Sequence, residues 1–457
     1  MYSMIENSAH DEGWQPILSG HVFGMARDCI HEIAHAFVSG CEAELSPMQR
    51  CECALFFTYL GLAERSGNWH HIAVEWLRSA TDCVFPSDES MTCHFDRGLG
   101  RIAWIVAHVR KVLRASDATG EVEGVVPDVS QHGDEDGNTA IDTVIHTALR
   151  RVAWAGPLGL TDGLVGLGVY CIERLPQKLA VQSLERIVDI LEERSENSFR
   201  GITWKSQAAD TAPSDRHMTR GHRYDLGVAN GIPGVLRLLA EVAAWGIRPR
   251  QATCLINGAI AWLLNRQHPP HARSRFGYGY SPGVVSGDAR LAWCYGDLGI
   301  AGILHQVSVL TGSDECRRVA NSLMAHSMGR MLDGAGVSDA GLCHGAMGVS
   351  HIFNRAFQTE CDPRYKDAAI RWLIHGLAMR HSAVGIDDSA TSRGRRPLCV
   401  PAPLPDPSFL TGSVGMGLAL LAASSDIAPR WDRWLLLSNT APTVHPRSAT
   451  SGVGAYA

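Results

Sequence analysis

Apolar residues recur every three to four positions along most of the chain, the spacing of a helix that buries one face. The pattern predicts helices over about 20–39, 47–65, 69–84, 98–114 and 139–153. Further ones follow over about 164–174, 177–193, 232–244, 250–266, 297–311, 313–332, 346–357, 364–380 and 413–423. Alternation suited to a strand is scarce, and its best instance is the short run Gly201-Ile202-Thr203-Trp204-Lys205. Polar stretches rich in Gly and Pro at 116–138, 267–289 and 382–408 read as loops. The last holds Pro401, Pro403, Pro405 and Pro407, which no helix carries throughout. Beyond about residue 438 Thr, Ser, Pro and Gly dominate, which predicts a loosely held tail. The expected fold class is all-α.

A repeat lies beneath the helices. Gly-x-x-Gly followed by an apolar helical run occurs at Gly163/Gly166, Gly231/Gly234, Gly296/Gly299, Gly345/Gly348 and Gly412/Gly415, at intervals of 49 to 68 residues. A degenerate copy stands at Asp96-Arg97-Gly98-Leu99-Gly100. Such an interval holds one helix pair, and five copies at helix starts indicate a repeat architecture. Glycine lets the chain turn sharply into a helix and lets backbones approach. Helix pairs repeated in this way can close into a ring, one helix of each pair inside and one outside, with the turns gathered at one end.

Composition narrows the class. With 457 residues, 45% of them hydrophobic, the chain can bury a large core, and a net charge of −6 gives no footprint for nucleic acid. Thirteen cysteines, an odd number, scattered from Cys29 to Cys399, argue against a disulfide framework and for a reducing compartment. The start, Met1-Tyr2-Ser3-Met4-Ile5-Glu6-Asn7, shows no basic and then apolar region of a signal peptide, and no run is apolar enough to span a membrane. The expectation is a cytoplasmic globular protein.

The chemistry concentrates in two of the repeated turns, Trp293-Cys294-Tyr295-Gly296-Asp297-Leu298-Gly299 and Leu342-Cys343-His344-Gly345-Ala346-Met347-Gly348. Together they offer two thiolates and one imidazole, a donor set suited to Zn2+. Structural zinc sites fill all four positions with protein ligands, whereas three ligands and a vacancy are how a catalytic zinc is held.

These blocks, with Asp162-Gly163-Leu164-Val165-Gly166, Asp225-Leu226-Gly227-Val228-Ala229-Asn230-Gly231 and Phe409-Leu410-Thr411-Gly412, resemble the lanthipeptide (lantibiotic) synthetase C family of cyclases from about residue 95 to 435. The resemblance implies an α/α toroid of nested helical rings. Residues 1–94 would then be the first part of the ring, 95–437 the cyclase core with its zinc site, and 438–457 the tail. It also implies Cys294, Cys343 and His344 as the ligands of one zinc. Its activity would be closure of thioether rings, a precursor-peptide cysteine adding to dehydroalanine or dehydrobutyrine made by a dehydratase partner.

A free thiol has a pKa of about 8.5 and is deprotonated outright on zinc. Attack on the β-carbon leaves an enolate, which needs a donor at its oxygen and a proton at the α-carbon. Arg290, four residues before Cys294, matches a functional arginine of the family and could hold the enolate oxygen. Tyr295 could line the pocket or donate a proton, or simply pack at the turn.

Two positions depart from the family. Asn230 stands where a proposed acid/base histidine is usual, and it cannot shuttle protons. Gly159 stands where an aspartate is usual, and the nearest acid, Asp162, sits one residue before Gly163 and would point elsewhere. Tyr224, Tyr295, His222 or a water on zinc remain as proton sources. The readings that stay open are an active cyclase, a zinc-bearing scaffold that binds precursor peptide and dehydratase without cyclising, and a thiol-alkylating enzyme of the prenyltransferase type. The last uses an Asp with Cys and His ligands, and the adjacent Cys343-His344 argues against it. A glycoside hydrolase would need two opposed carboxylates, and no acidic pair is read at the repeat turns.

Elsewhere, Cys51-Glu52-Cys53 with Cys93-His94 makes a poor second metal site, because thiols two apart on a helix face different ways. His31, His35, His70 and His71 read as surface or capping residues, and Cys171, Cys254, Cys316 and Cys361 as packing residues. The loop with His268, His271, Phe276, Tyr278 and Tyr280 could touch substrate or cover the ring.

Overall fold

The fold is taken from a computed structural model, which describes residues 13–40, 45–84, 99–119, 138–151, 154–206, 223–284, 286–330, 334–383 and 406–441. Fourteen helices lie among them: α1 Gly20–Ser39, α2 Pro47–Glu64, α3 Gly67–Val84, α4 Leu99–Thr119, α5 Thr139–Arg151, α6 Leu164–Glu173 and α7 Lys178–Glu193. The others are α8 Ile232–Ala244, α9 Pro249–Leu264, α10 Asp297–Thr311, α11 Asp314–Met328, α12 Ala346–Glu360, α13 Pro363–Ala383 and α14 Ser413–Ser424. Two small antiparallel ribbons, β1 Glu196–Ser198 with β2 Gly201–Thr203 and β3 Tyr224–Asp225 with β4 Gly279–Tyr280, and a short 3-10 helix at Arg430–Arg433 accompany them. The run at 201–205 thus does contain a strand. None of the described helices is long and apolar enough to cross a membrane.

The even-numbered helices form a closed ring. In order, α2, α4, α6, α8, α10, α12 and α14 each pack on the next, and α14 returns to α2. The others lie outside: α3 on α2, α7 on α6, α9 on α8, α11 on α10, α13 on α12 and α1 on α14, with α5 against α7. The architecture is an α/α toroid. The residue pattern explains which helix goes where. In α6 every residue is buried, as suits a helix with neighbours on all sides. In α7 the buried set Ala180, Ser183, Leu184, Ile187, Val188, Ile190 and Leu191 leaves one face for solvent. The N-terminal segment clasps the last inner helix. Ile17 donates its N–H to the carbonyl of Ala423 at 2.8 Å, and Trp14 its indole N–H to that of Ala422 at 2.9 Å.

The segment after α14 fills the centre of the inner ring. Trp434 meets Trp104 of α4 at 5.6 Å between ring centres, and the Leu435 carbonyl accepts the indole N–H of Trp293 at 2.8 Å. Leu436 lies against Gly234 of α8 and Leu437 against Gly302 of α10. Several charged groups in this interior are paired, as burial demands. Asp432 accepts from His351 at 2.8 Å and from Arg355 at 2.6 Å, both on α12, and Arg433 lies 3.5 Å from Glu173 of α6. The chain stays anchored past residue 437. The Ser438 carbonyl accepts from Arg237 at 2.8 Å, and the Thr440 N–H donates to Glu241 at 2.7 Å. Residues 442–457 of the expected tail lie outside the described residues.

Some smaller expectations change. His70 is fully buried and 3.2 Å from the Thr58 carbonyl, because α3 presses it against Gly61 of α2. Cys254 and Cys361 are exposed, whereas Cys171 and Cys316 are buried. Cys51 and Cys53 are buried, and burial pushes the Cys51 thiol up to about 12, which keeps it neutral. Cys93 and His94 lie outside the described residues, as does Gly98 of the degenerate repeat.

Candidate metal centre

The five repeated turns share one construction. The first glycine of each pair caps an inner helix: Gly163 for α6, Gly231 for α8, Gly296 for α10, Gly345 for α12 and Gly412 for α14. Six residues earlier stand Pro157, Asp225, Arg290, Asp339 and Asp406. The carbonyl of that residue closes the turn, as when Asp339 accepts the N–H of Ala346 at 2.9 Å and Asp406 that of Ser413 at 2.7 Å. The second glycine is needed for close approach: a Cβ on Gly348 would run into the carbonyl oxygen of Leu342. At Gly296 the backbone itself requires glycine, with φ at 84°.

Successive turns are tied to one another by backbone hydrogen bonds. Leu160 N–H donates to Ala229 at 2.7 Å, Val228 to Cys294 at 2.8 Å, Trp293 and Cys294 to Cys343 at 3.1 and 3.2 Å, and Cys343 to Leu410 at 2.8 Å. The run ends where Phe409 N–H donates to the buried carboxylate of Glu52 on α2 at 3.2 Å. Arg101 of α4 holds that carboxylate from the other side at 3.2 Å. Glu52, considered from sequence only beside two cysteines, thus links the end of the run of turns to α2 and α4.

This stitching sets the backbones of Cys294 and Cys343 side by side. One donor atom from each of Cys294, Cys343 and His344 lies within 4.8 Å of the other two. Cys294 is buried, and Cys343 and His344 are half-buried. The Cys294 thiol is lowered to about 6, first by a hydrogen bond with Cys343, against the effect of burial, and then by His344 and the charge of Arg290. The Cys294 sulfur in turn raises His344. The buried Nδ1 of His344 makes no hydrogen bond, while its Nε2 lies 3.4 Å from Asp339 Oδ2. Two sulfurs, one of them tending to thiolate, and an imidazole nitrogen without a partner make a set that fits zinc. Among the described residues this is the sole group of its kind.

Around the cluster, the Arg290 N–H donates to the hydroxyl of Tyr278 at 3.2 Å, and the Tyr278 ring lies 5.4 Å from that of Tyr295. The loop at 267–289 is therefore stitched behind the site in this part. Asp297 accepts the N–H groups of Arg275 at 2.9 Å and Phe276 at 2.8 Å. Tyr295 is fully buried and donates to Asp225 Oδ2 at 2.9 Å, and burial, reinforced by Asp225, pushes its phenol far above the usual range. Asn230 is half-buried on the next turn, its Oδ1 directed at Gly159. Asp162 is exposed two turns from Cys294. Tyr224 donates to Glu196 at 2.8 Å, and His222 lies outside the described residues.

Sequence reading missed Asp225 and Asp339. Alignment of the five turns would have exposed them, because an acid stands six residues before the capping glycine in three of the five.

Comparison with known proteins agrees with this construction. Residues 53–436 match the lanthionine synthetase C-like protein family. Among solved structures, nisin cyclase superposes with a TM-score of 0.62 at 16% identity, over 91% of this chain and 98% of that one, which shows a common fold. No curated protein matches the chain. A match over most of the chain, on the same toroid and with the paired-cysteine turns in place, assigns this protein to the lanthionine synthetase C-like family.

Proposed function

We propose that this protein is a zinc-dependent peptide cyclase that forms lanthionine and methyllanthionine thioethers. The observation that carries the reading is the convergence of Cys294, Cys343 and His344 from two neighbouring turns. These three residues would hold the zinc. When bound, the metal would supply deprotonation and activation of a precursor-peptide thiol. The chain's own residues do the rest. Two protein sulfurs donate charge to the site and favour a nucleophilic incoming sulfur. Arg290, whose charge reaches Cys294 and His344, would take the oxygen on which negative charge develops as the new carbon–sulfur bond forms.

The α-carbon then takes a proton. Tyr295 and Tyr224 commit their hydroxyl hydrogens to carboxylates, and Asn230 does not titrate. In this reading the proton comes through solvent, and Tyr295 with Asp225 holds the wall of the site. Asp162, exposed and two turns away, takes no part in proton transfer. The substrate is a dehydrated precursor peptide, the partner that prepares it a lanthipeptide dehydratase, and the compartment the reducing cytoplasm, to which free thiols are suited.

The loss of the family's histidine at 230 favours one alternative, a scaffold that binds the peptide and leaves it open. Incubation of zinc-loaded protein with dehydrated precursor peptide separates the two. The cyclase reading expects peptide thiols, counted by alkylation, to disappear with time. Peptide binding with every thiol retained would establish the scaffold instead.

A further inference from the structure

We infer that Asp339 is a positioning residue: it fixes the proton of His344 on Nε2 and so leaves Nδ1 as the metal donor. The inference rests on the zinc reading above and concerns which atom serves it. Asp339 is tied to the backbone of its own turn at two points. Its Oδ1 accepts the N–H of Gly341 at 2.7 Å and its carbonyl accepts that of Ala346 at 2.9 Å. With Oδ1 engaged, Oδ2 is the oxygen that meets the ring, 3.4 Å from His344 Nε2. A neutral imidazole has one N–H and one lone pair, and a carboxylate facing one nitrogen draws the proton there. The lone pair then falls on Nδ1, which is the buried nitrogen that lacks a hydrogen-bond partner.

The turn before α8 carries a second copy of the device. Asp225, at the same place in that turn, gives Oδ1 to the N–H of Gly227 at 2.7 Å and Oδ2 to the hydroxyl of Tyr295 at 2.9 Å. In both turns one oxygen braces the loop and the other orients a side chain beside the cluster. The glycines at 341 and 345 make room for this, since a Cβ on either would crowd Asp339 Oδ1.

The test compares Asp339→Asn with Asp339→Ala in the full chain, by competition for zinc alone against a chromophoric chelator. A residue that merely closes the turn is better replaced by Asn, which keeps an acceptor for the Gly341 N–H, than by Ala. A residue that sets the proton of His344 gives the opposite order. With its oxygen held by Gly341, the introduced asparagine would turn an N–H toward Nε2 and drive the imidazole proton onto Nδ1. Partners of metal-bound histidines are worth about 10- to 100-fold in affinity. The expected result is a loss of about tenfold for Asp339→Ala and about 100-fold for Asp339→Asn. An Asp339→Asn protein that binds zinc as well as the parent, or better than Asp339→Ala, overturns the inference and leaves the zinc site standing. A parent chain that binds no zinc removes both. Nitrogen-15 spectra of the metal-free parent, recorded at a pH high enough that the His344 imidazole carries a single proton, give an answer that needs no variant: that proton on Nε2 supports the inference, and on Nδ1 overturns it.

Discussion

At position 230 a single side chain separates two outcomes. Asn230 can accept and donate hydrogen bonds but cannot exchange a proton near neutral pH. Gly159 lies directly across from it: a Cβ there would stand 2.9 Å from Asn230 Oδ1. The two departures from the family pattern therefore face each other across neighbouring turns. Asn230→His should accelerate thiol loss in the cyclisation assay, by as much as about 100-fold if general acid–base help is what the site lacks. Adding Gly159→Asp should increase the gain, because the new carboxylate would reach the new imidazole. An unchanged rate in both variants would show that solvent already meets the demand.

Much of the residue scale was legible in the sequence. Cys294, Cys343 and His344 stand at fixed offsets from a glycine that must cap a helix, so finding the repeat was enough to bring them together. Asp225 and Asp339 were not legible one at a time, because an aspartate in a turn ordinarily serves only its own loop. Their second oxygens gain targets only once the neighbouring turn is in place.

Among the elements, the repeated turn is the unit that makes the site. Its tolerance is narrow where the second glycine sits over a carbonyl. In α12 that carbonyl is Leu342, the residue before Cys343, so any shift to relieve a clash moves a proposed ligand. Gly348→Ala should lower stability by about 1–3 kcal/mol and weaken metal retention. Gly24→Ala, in α1 with open space around it, is the matching control and should stabilise by about 0.5–1 kcal/mol. Thermal melts of the two variants check the opposite signs. A Gly348→Ala protein as stable as its parent would mean the turns are looser than described. The glycine pattern announced these turns, and the inner helices could be read from their unbroken apolar faces. The centre of the ring could not. Its consecutive apolar residues are only Trp434, Leu435, Leu436 and Leu437, and nothing local distinguishes a segment that fills a ring from one that lies on a surface.

For the whole molecule, that central segment couples the halves of the ring through buried charge. Asp432 is the junction. Burial works against its ionisation, but Arg355 and His351 hold it down at about 2. A carboxylate so lowered stabilises the fold above the ordinary carboxylate pKa of about 4. The contribution fades as pH falls from there through about 2. Asp432→Asn should cost about 1–3 kcal/mol at neutral pH, because the half-buried Arg355 loses its counter-charge and its charge-assisted hydrogen bonds. In denaturant unfolding the gap between parent and variant should narrow as pH drops through that window. A gap that stays constant with pH would place the stabilisation elsewhere.

The site also depends on this scale, since Trp293, next to Cys294, is anchored to Leu435 in the central segment. The proposed ligands come from two adjacent turns tied together by backbone hydrogen bonds. X-ray absorption on purified, zinc-loaded protein tests that arrangement most directly. The expected result is one zinc per chain with two sulfur and one imidazole ligand from the protein, lost when Cys294, Cys343 or His344 is replaced. Zinc absent from the parent, or retained without the Cys343 sulfur, would contradict the account.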